Sequence, residues 1–240
     1  MTVINPQWIA VPADLTLLLD DVHIWRIDLD LPEAKLRELR QTLSEDEITR
    51  ADRFYQKLHR HRFIAGRGIL RSILANYLGV EPSEVQFEYE PMGKPILAQF
   101  YGKKRISFNL SHSQGLGLCA VGCEHRPLGI DLEYIRPMSD LLSLAKQFFS
   151  PSEYGLIQSL PPQQKQEMFF RSWTCKEAYL KATGVGLSKL REIEITLGMR
   201  DSAKFKNIYD WHLLEIKARD NFAAAVAIHG SGWQTKYWQY

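Results

Sequence analysis

Cysteine is scarce in this 240-residue chain: Cys119, Cys123 and Cys175 are all there is. An odd, sparse set cannot build a disulfide framework and points to a reducing compartment. Cys119 and Cys123 with His125 lack a fourth ligand and the usual metal spacing, so they read as strand packing. An excess of one charge is missing too. The 30 basic and 28 acidic side chains leave a net +2, too little by itself to call for nucleic acid. No apolar run approaches the ~18 residues that cross a bilayer. LTLLL at 15–19 is short, has no basic flank and runs into Asp20 and Asp21, so it does not read as a targeting signal. The expectation is a cytoplasmic protein with neither a membrane nor a nucleic-acid partner.

What is present is ordinary in bulk, 45% hydrophobic and 24% charged, with enough chain for a sizeable core. VHIWRIDLD, 22–30, alternates as a strand and meets a short helix at Pro32. Ser44 and Glu47 have capping-box spacing and open a helix predicted to run to about Leu58. A second helix is predicted over 61–78, stopping at Gly79, with strands near 85–89, 106–110 and 115–121 around the turn PMGKP. The order then recurs. PLGIDLEYI, 127–135, reads as a strand, and Ser150, Pro151 and Glu153 mark a helix start. A long helix follows over 163–183, then strands near 192–198, 211–217 and 222–228. Ile27-Asp28-Leu29-Asp30 is echoed by Ile130-Asp131-Leu132-Glu133. The expected fold is α+β, with two similar halves, 1–126 and 127–240, facing each other across a cleft as an intramolecular pseudo-dimer. Such a layout favours a monomer.

Chemistry concentrates in the second half. On a strand, Asp131 and Glu133 share a face about 7 Å apart, while Ile130 and Leu132 turn to the core. For GIDLE alone the plainer reading is an amphipathic strand with a wet outer face. In WTCKEAYLKATGVGL, 173–187, Glu177 and Lys181 fall beside the stripe of Phe169, Trp173 and Leu180. Alone, that pair reads as an i,i+4 contact on a solvated helix. Taken together, three carboxylates suit Mg²⁺ with phosphate oxygens, and Lys181 would neutralise a phosphate. Seven Lys or Arg against one Asp lie between Thr49 and Leu74, mostly reading as a solvated face. Their aromatic neighbours follow core spacing rather than forming a stacking platform. Ser111-His112 is not a hydrolase pair, since strand neighbours face oppositely and no G-x-S-x-G elbow exists.

GIDLE followed by WTCKEAYLKATGVGL resembles the signature pair of the 4′-phosphopantetheinyl transferases, and GKP and FNLSHS resemble two further motifs of the larger, Sfp-type branch. The resemblance implies the pseudo-dimeric fold and an enzyme that moves the phosphopantetheine arm of coenzyme A to a serine of an apo acyl or peptidyl carrier protein. Adenosine 3′,5′-bisphosphate would be the leaving product. It further implies that Asp131, Glu133 and Glu177 hold Mg²⁺ and that Lys181 lies beside the pyrophosphate. Lys94, Ser111 and His112 would hold the coenzyme A phosphates, with Asn109 supporting the strand end. Glu47 falls where some members have lysine, leaving Arg50 and Arg62 as substitutes for 3′-phosphate binding. Glu177 is the candidate base for the carrier serine. The segment 136–149, with Leu141, Leu142, Leu144, Ala145, Phe148 and Phe149 between Arg136 and Lys146, is the candidate docking face; the plainer reading makes its apolar residues core. Another Mg²⁺-dependent phosphoryl or nucleotidyl transferase, or a non-catalytic protein that binds coenzyme A or the carrier, stays open as an alternative.

Overall fold

One order of elements, used twice, accounts for most of the chain. The computed structural model describes residues 3–98, 106–198 and 201–240. After a two-residue strand β1 (Ile9–Ala10), the first half runs β2 (Asp21–Asp28), α1 (Glu33–Gln41), α2 (Glu45–Asp52), α3 (Lys57–Leu78), the hairpin β3 (Phe87–Tyr89) and β4 (Pro95–Leu97), then β5 (Ile106–Ser113) and β6 (Leu116–Cys123). The second half runs β7 (Leu128–Tyr134), α4 (Leu141–Phe148), α5 (Pro151–Ser159), α6 (Pro162–Thr183), the short pair β8 (Ile195–Thr196) and β9 (Lys204–Phe205), then β10 (Trp211–Glu215) and β11 (Phe222–His229). Both long helices have 22 residues and both end on a glycine with positive φ, Gly79 and Gly184. That stop needs the left-handed region that glycine enters without strain. The fold is the expected α+β pair of matched halves.

The repeat extends to buried ionic pairs. In each half a capping-box glutamate of the second helix reaches the fifteenth residue of the long helix. Glu47 pairs with Arg71 at 2.7 Å and Glu153 with Lys176 at 2.5 Å. Each cation then reaches the loop beyond, Arg71 at the Val85 carbonyl and Lys176 at the Leu190 carbonyl. So Lys176, within the signature helix, is a core strut. Glu153 also accepts the Ser150 and Ile195 amides, so one carboxylate fixes α5, α6 and β8 together.

β2 and β6 pair antiparallel, as do β5 and β6, and β7, β11 and β10 repeat this arrangement. Alternation gives each strand two faces. Trp25 and Ile27 pack with α3, whereas Val22 and Ile24 join Leu118, Ile130, Leu132, Val226 and Ile228 in a core between the two sheets. A strand absent from the sequence reading, β12 (Gln234–Gln239), lies parallel to β2 and between it and β1, in the first half's sheet. Two expected boundaries move most. The helix from Ser44 ends at Asp52 and the next begins at Lys57, because Arg50 and Phe54 both fold back onto Phe63. The strand expected over 192–198 shrinks to Ile195–Thr196, since a 3₁₀ turn takes Leu187–Glu192. Among the described residues no helix is long and apolar enough to cross a membrane. The three cysteines are unpaired, and Cys119 packs inside β6 as expected.

Candidate active site

Gly129 lets α6 lie directly on β7. A Cβ there would stand 2.2 Å from the Ala178 carbonyl oxygen and 2.4 Å from the Ala182 nitrogen, so only glycine permits this approach. The contact brings the Asp131 side of β7 under the Lys181 side of α6. Here the wet-face expectation fails. Asp131 is 3% exposed and Glu133 is half-buried, because α6 covers that face of the strand. Lys181 Nζ lies 2.6 Å from Asp131 Oδ1 and 2.9 Å from Ser111 Oγ. Asp131 Oδ2 is buried with no partner.

The first half meets this edge through side chains rather than a backbone ladder. Asn109, Ser111 and Ser113 share one face of β5 and stand beside β7 in parallel register. They accept from the amides of Ile130 at 2.9 Å, Leu132 at 3.3 Å and Tyr134 at 3.1 Å. Ser111 Oγ also donates to Asp131, and Ser113 Oγ to Glu133, each at 2.9 Å. Ser111 and Asn109 are therefore buried seam residues, and Ser111 with Ser113 orients the carboxylates. The alternating polar pattern of FNLSHS was legible; its partner strand was not.

Three carboxylates strain one another here. Burial, with Asp131 adding to it, pushes the Glu177 carboxyl up to about 7, against the pull of Lys181. Glu133 is likewise raised by burial and then by Asp131. Among the described residues no three acidic, histidine or cysteine side chains already surround one point. The all-oxygen donors, the unpartnered Asp131 oxygen and the mutual repulsion nevertheless fit a hard divalent cation.

Cations gather opposite. His112, exposed at the end of β5, is held below the usual histidine range by lost hydration on its inner side, and further by Lys181, Arg62 and Arg67. Arg62 grips Asp30 with two bonds, 2.7 and 2.9 Å. Lys94, in the β3–β4 turn at Gly93, is half-buried, and that burial lowers its pKa. Its neighbour Glu90 approaches Gly184 at the end of α6, so the hairpin reaches across the cleft. Arg50 stays exposed over the Phe63 ring and makes no other described contact. Glu47 is buried between Arg71 and Arg67, a structural role at a position expected near phosphate. Arg67 was one of seven basic residues in its stretch, and nothing in the spacing distinguished it.

Two family models match the chain. Residues 127–227 match the 4′-phosphopantetheinyl transferase superfamily, and residues 32–123 match a 4′-phosphopantetheinyl transferase N-terminal region. The 4′-phosphopantetheinyl transferase HetI of a Nostoc strain is 60% identical over 97% of this chain and 98% of its own length. The 4′-phosphopantetheinyl transferase Sfp of Bacillus subtilis is 30% identical over 68% of this chain and 69% of its own. A solved holo-(acyl-carrier-protein) synthase from Bacillus anthracis covers 44% of this chain and 96% of its own at 22% identity and TM-score 0.38.

Proposed function

This chain belongs to the 4′-phosphopantetheinyl transferase superfamily, and from that premise we propose how its cleft performs the transfer. As an enzyme of this class it moves the 4′-phosphopantetheine arm of coenzyme A to a serine of an apo acyl or peptidyl carrier protein. The observation that carries the assignment of residues is one meeting point. Asp131, Glu133, Glu177 and Lys181 of the second half face His112 and Arg62 of the first.

The carrier serine Oγ forms a new bond to the β-phosphorus of coenzyme A. The bond from that phosphorus to the bridging oxygen breaks, and adenosine 3′,5′-bisphosphate leaves with the electron pair. The serine proton goes to Glu177 as general base; burial and Asp131 raise its carboxyl in the metal-free cleft, and a bound cation would lower it. Lys181, its side chain 31% exposed, presents its ammonium to the charge that develops on the phosphate. His112 and Lys94 seat coenzyme A phosphates from the first half, with Arg62 beside them. Asp131, Glu133 and Glu177 would hold Mg²⁺, which when bound neutralises pyrophosphate charge.

For the carrier we take the face around α4. Leu141, Ala145 and Phe149 are core, so the plainer reading holds for them, but Leu142, Leu144 and Phe148 are only half-buried between exposed Arg136 and Lys146. An acidic helix with apolar anchors would match that surface. We further place the protein in the cytoplasm as a monomer, with halves 1–126 and 127–240 and the last strand lent back to the first sheet. One experiment tests the reading: incubation with coenzyme A, Mg²⁺ and apo carrier, then weighing the carrier, for wild type and Leu142→Glu. A gain of one phosphopantetheine arm is expected, with the variant needing more carrier at unchanged coenzyme A affinity. Binding without mass gain would leave a non-catalytic protein, and turnover of another nucleotide instead would favour a different transferase.

A further inference from the structure

The helix that carries Glu177 and Lys181 has a second face, and a cavity of about 160 Å³ opens on it beside Ser172. Ser172 stands five residues before Glu177. At 3.6 residues per turn that sets them about 140° apart around the helix, so the cavity lies outside the catalytic cleft. Buried Met168, Ile195 and Leu197 form its inner wall, and the more exposed Leu156 of α5 forms the outer one. These four side chains offer only carbon and sulfur to whatever enters.

Two charged groups also line the space, and both are already answered. The Glu153 carboxylate accepts from Lys176 and from the Ser150 and Ile195 amides. The Lys206 ammonium reaches Glu194 and the Ser152 hydroxyl, each at 3.1 Å. A bound molecule therefore meets no spare charge, and a charged one would give up its hydration without a partner. Ser172 is different. It is 2% exposed, lines the cavity, and makes no side-chain hydrogen bond among the described residues. A serine inside a helix can turn its hydroxyl back to the carbonyl four residues earlier, as Ser72 does with Gly68 at 3.0 Å. Ser172 does not, so its hydroxyl is left for the contents of the cavity, and a buried hydroxyl without a partner is costly. Size completes the description: an apolar cavity of about 150 Å³ takes up one benzene ring.

We propose that this cavity is a ligand site separate from the catalytic cleft, and that it takes a small uncharged hydroxyarene. The ring lies against Leu156, Met168, Ile195 and Leu197, and the ligand's hydroxyl bonds to Ser172. Such a ligand ties α5, α6 and β8 together beside the Glu153–Lys176 pair. Neither Ser172 nor the probes below enter the transfer reaction, so the site can be tested apart from it. Phenol, toluene and benzoate are titrated into the protein and followed by saturation-transfer NMR and calorimetry. Phenol should bind with a Kd of ~0.1–1 mM, within reach of so small a ligand. Toluene should bind about three- to tenfold more weakly for want of one hydrogen bond, and benzoate more weakly than phenol for want of a free cation. Ser172→Ala should bring phenol down to the level of toluene and leave toluene unchanged. Ser172→Leu fills the space and should abolish both while the protein stays folded. Should that variant not fold, phenol against toluene on Ser172→Ala decides alone. Saturating coenzyme A should leave phenol in place. Three results overturn the proposal: no phenol bound well above that range, equal phenol binding by wild type and Ser172→Ala, or displacement of phenol by coenzyme A. Benzoate binding better than phenol would show an unanswered cation and overturn it as well.

Discussion

At Glu177 burial and two neighbouring carboxylates act on one ionisable group. The helix alone gave it a solvated edge, whereas its grouping with Asp131 and Glu133 anticipated the acidic surroundings. In the fold it faces Asp131 and Glu133 under partial burial, and its carboxyl is pushed up to about 7 from its ordinary value of 4.5. A folded-state pKa above the unfolded one stabilises the protein below the unfolded value, and that stability is lost as pH rises toward the folded value. In chelator-treated protein, wild type should therefore lose Tm between about pH 4.5 and pH 7 from this group. Glu177→Gln should not show that loss. Above pH 7 the variant should be the more stable by about 1–3 kcal/mol, and the two should converge near pH 4. Added Mg²⁺ should narrow the gap by stabilising wild type more. Transfer by the variant should still drop by ~10²–10⁴ in kcat, the share of a positioned base. Thermal melts across pH settle the electrostatics apart from the kinetics. Parallel melting profiles for both proteins would mean that the neighbouring carboxylates do not strain Glu177.

At the scale of elements, what was legible followed local chemistry. The α6 helix carries proline at its start and glycine at its end, and β7 alternates cleanly, so both were read within a residue or so. The gap at 53–56 has no glycine or proline to announce it; it arises where Arg50 and Phe54 fold back onto Phe63, in the same arrangement that sets Glu47 against Arg71. The approach of α6 to β7 was equally hidden, although Gly129 was in plain view in GIDLE. That glycine carries a sharp expectation. Gly129→Ala sets a methyl against α6 backbone at 2.2 Å, which no side-chain rotation relieves, so the helix must move. Overpacking of this kind costs about 1–3 kcal/mol or more. A shift near 1 Å of Glu177 and Lys181 should cut transfer about a hundredfold. Coenzyme A phosphates held by the first half should still bind within a few-fold. Tm, transfer rate and coenzyme A calorimetry on one preparation check all three, and full activity would show that α6 does not rest on β7 at this glycine.

For the whole molecule the question is whether two matched halves behave as two units. The repeat invites that view, and the sequence supported it through the Ile-Asp-Leu-Asp echo. What the echo left out is how the halves are joined. Their sheets share a buried core from Val22 and Ile24 to Val226 and Ile228, and three β5 side chains satisfy amides of β7. Outside both repeats, β12 follows β11 in the chain but pairs along β2. Trp238 of that strand is 8% exposed and sits edge-on to His23 at 5.6 Å, with Trp25 at 6.4 Å. Lys236 bonds Asp21 at 2.7 Å. Joined in this way, neither half can lose its sheet without exposing the other's core. Calorimetric unfolding should therefore give one transition, its van't Hoff and calorimetric enthalpies agreeing. Trp238→Ala should lower that single Tm, at a cost of about 3–5 kcal/mol for a buried indole. Because the tryptophan stands in the second half's stretch of chain but fills the first half's sheet, it discriminates well. Independent halves would give two transitions in the variant, with only the one that contains β2 displaced. A single displaced transition means that the strand lent back to the first half ties α6 and β7 to the first sheet, and so holds the two sides of the cleft in register.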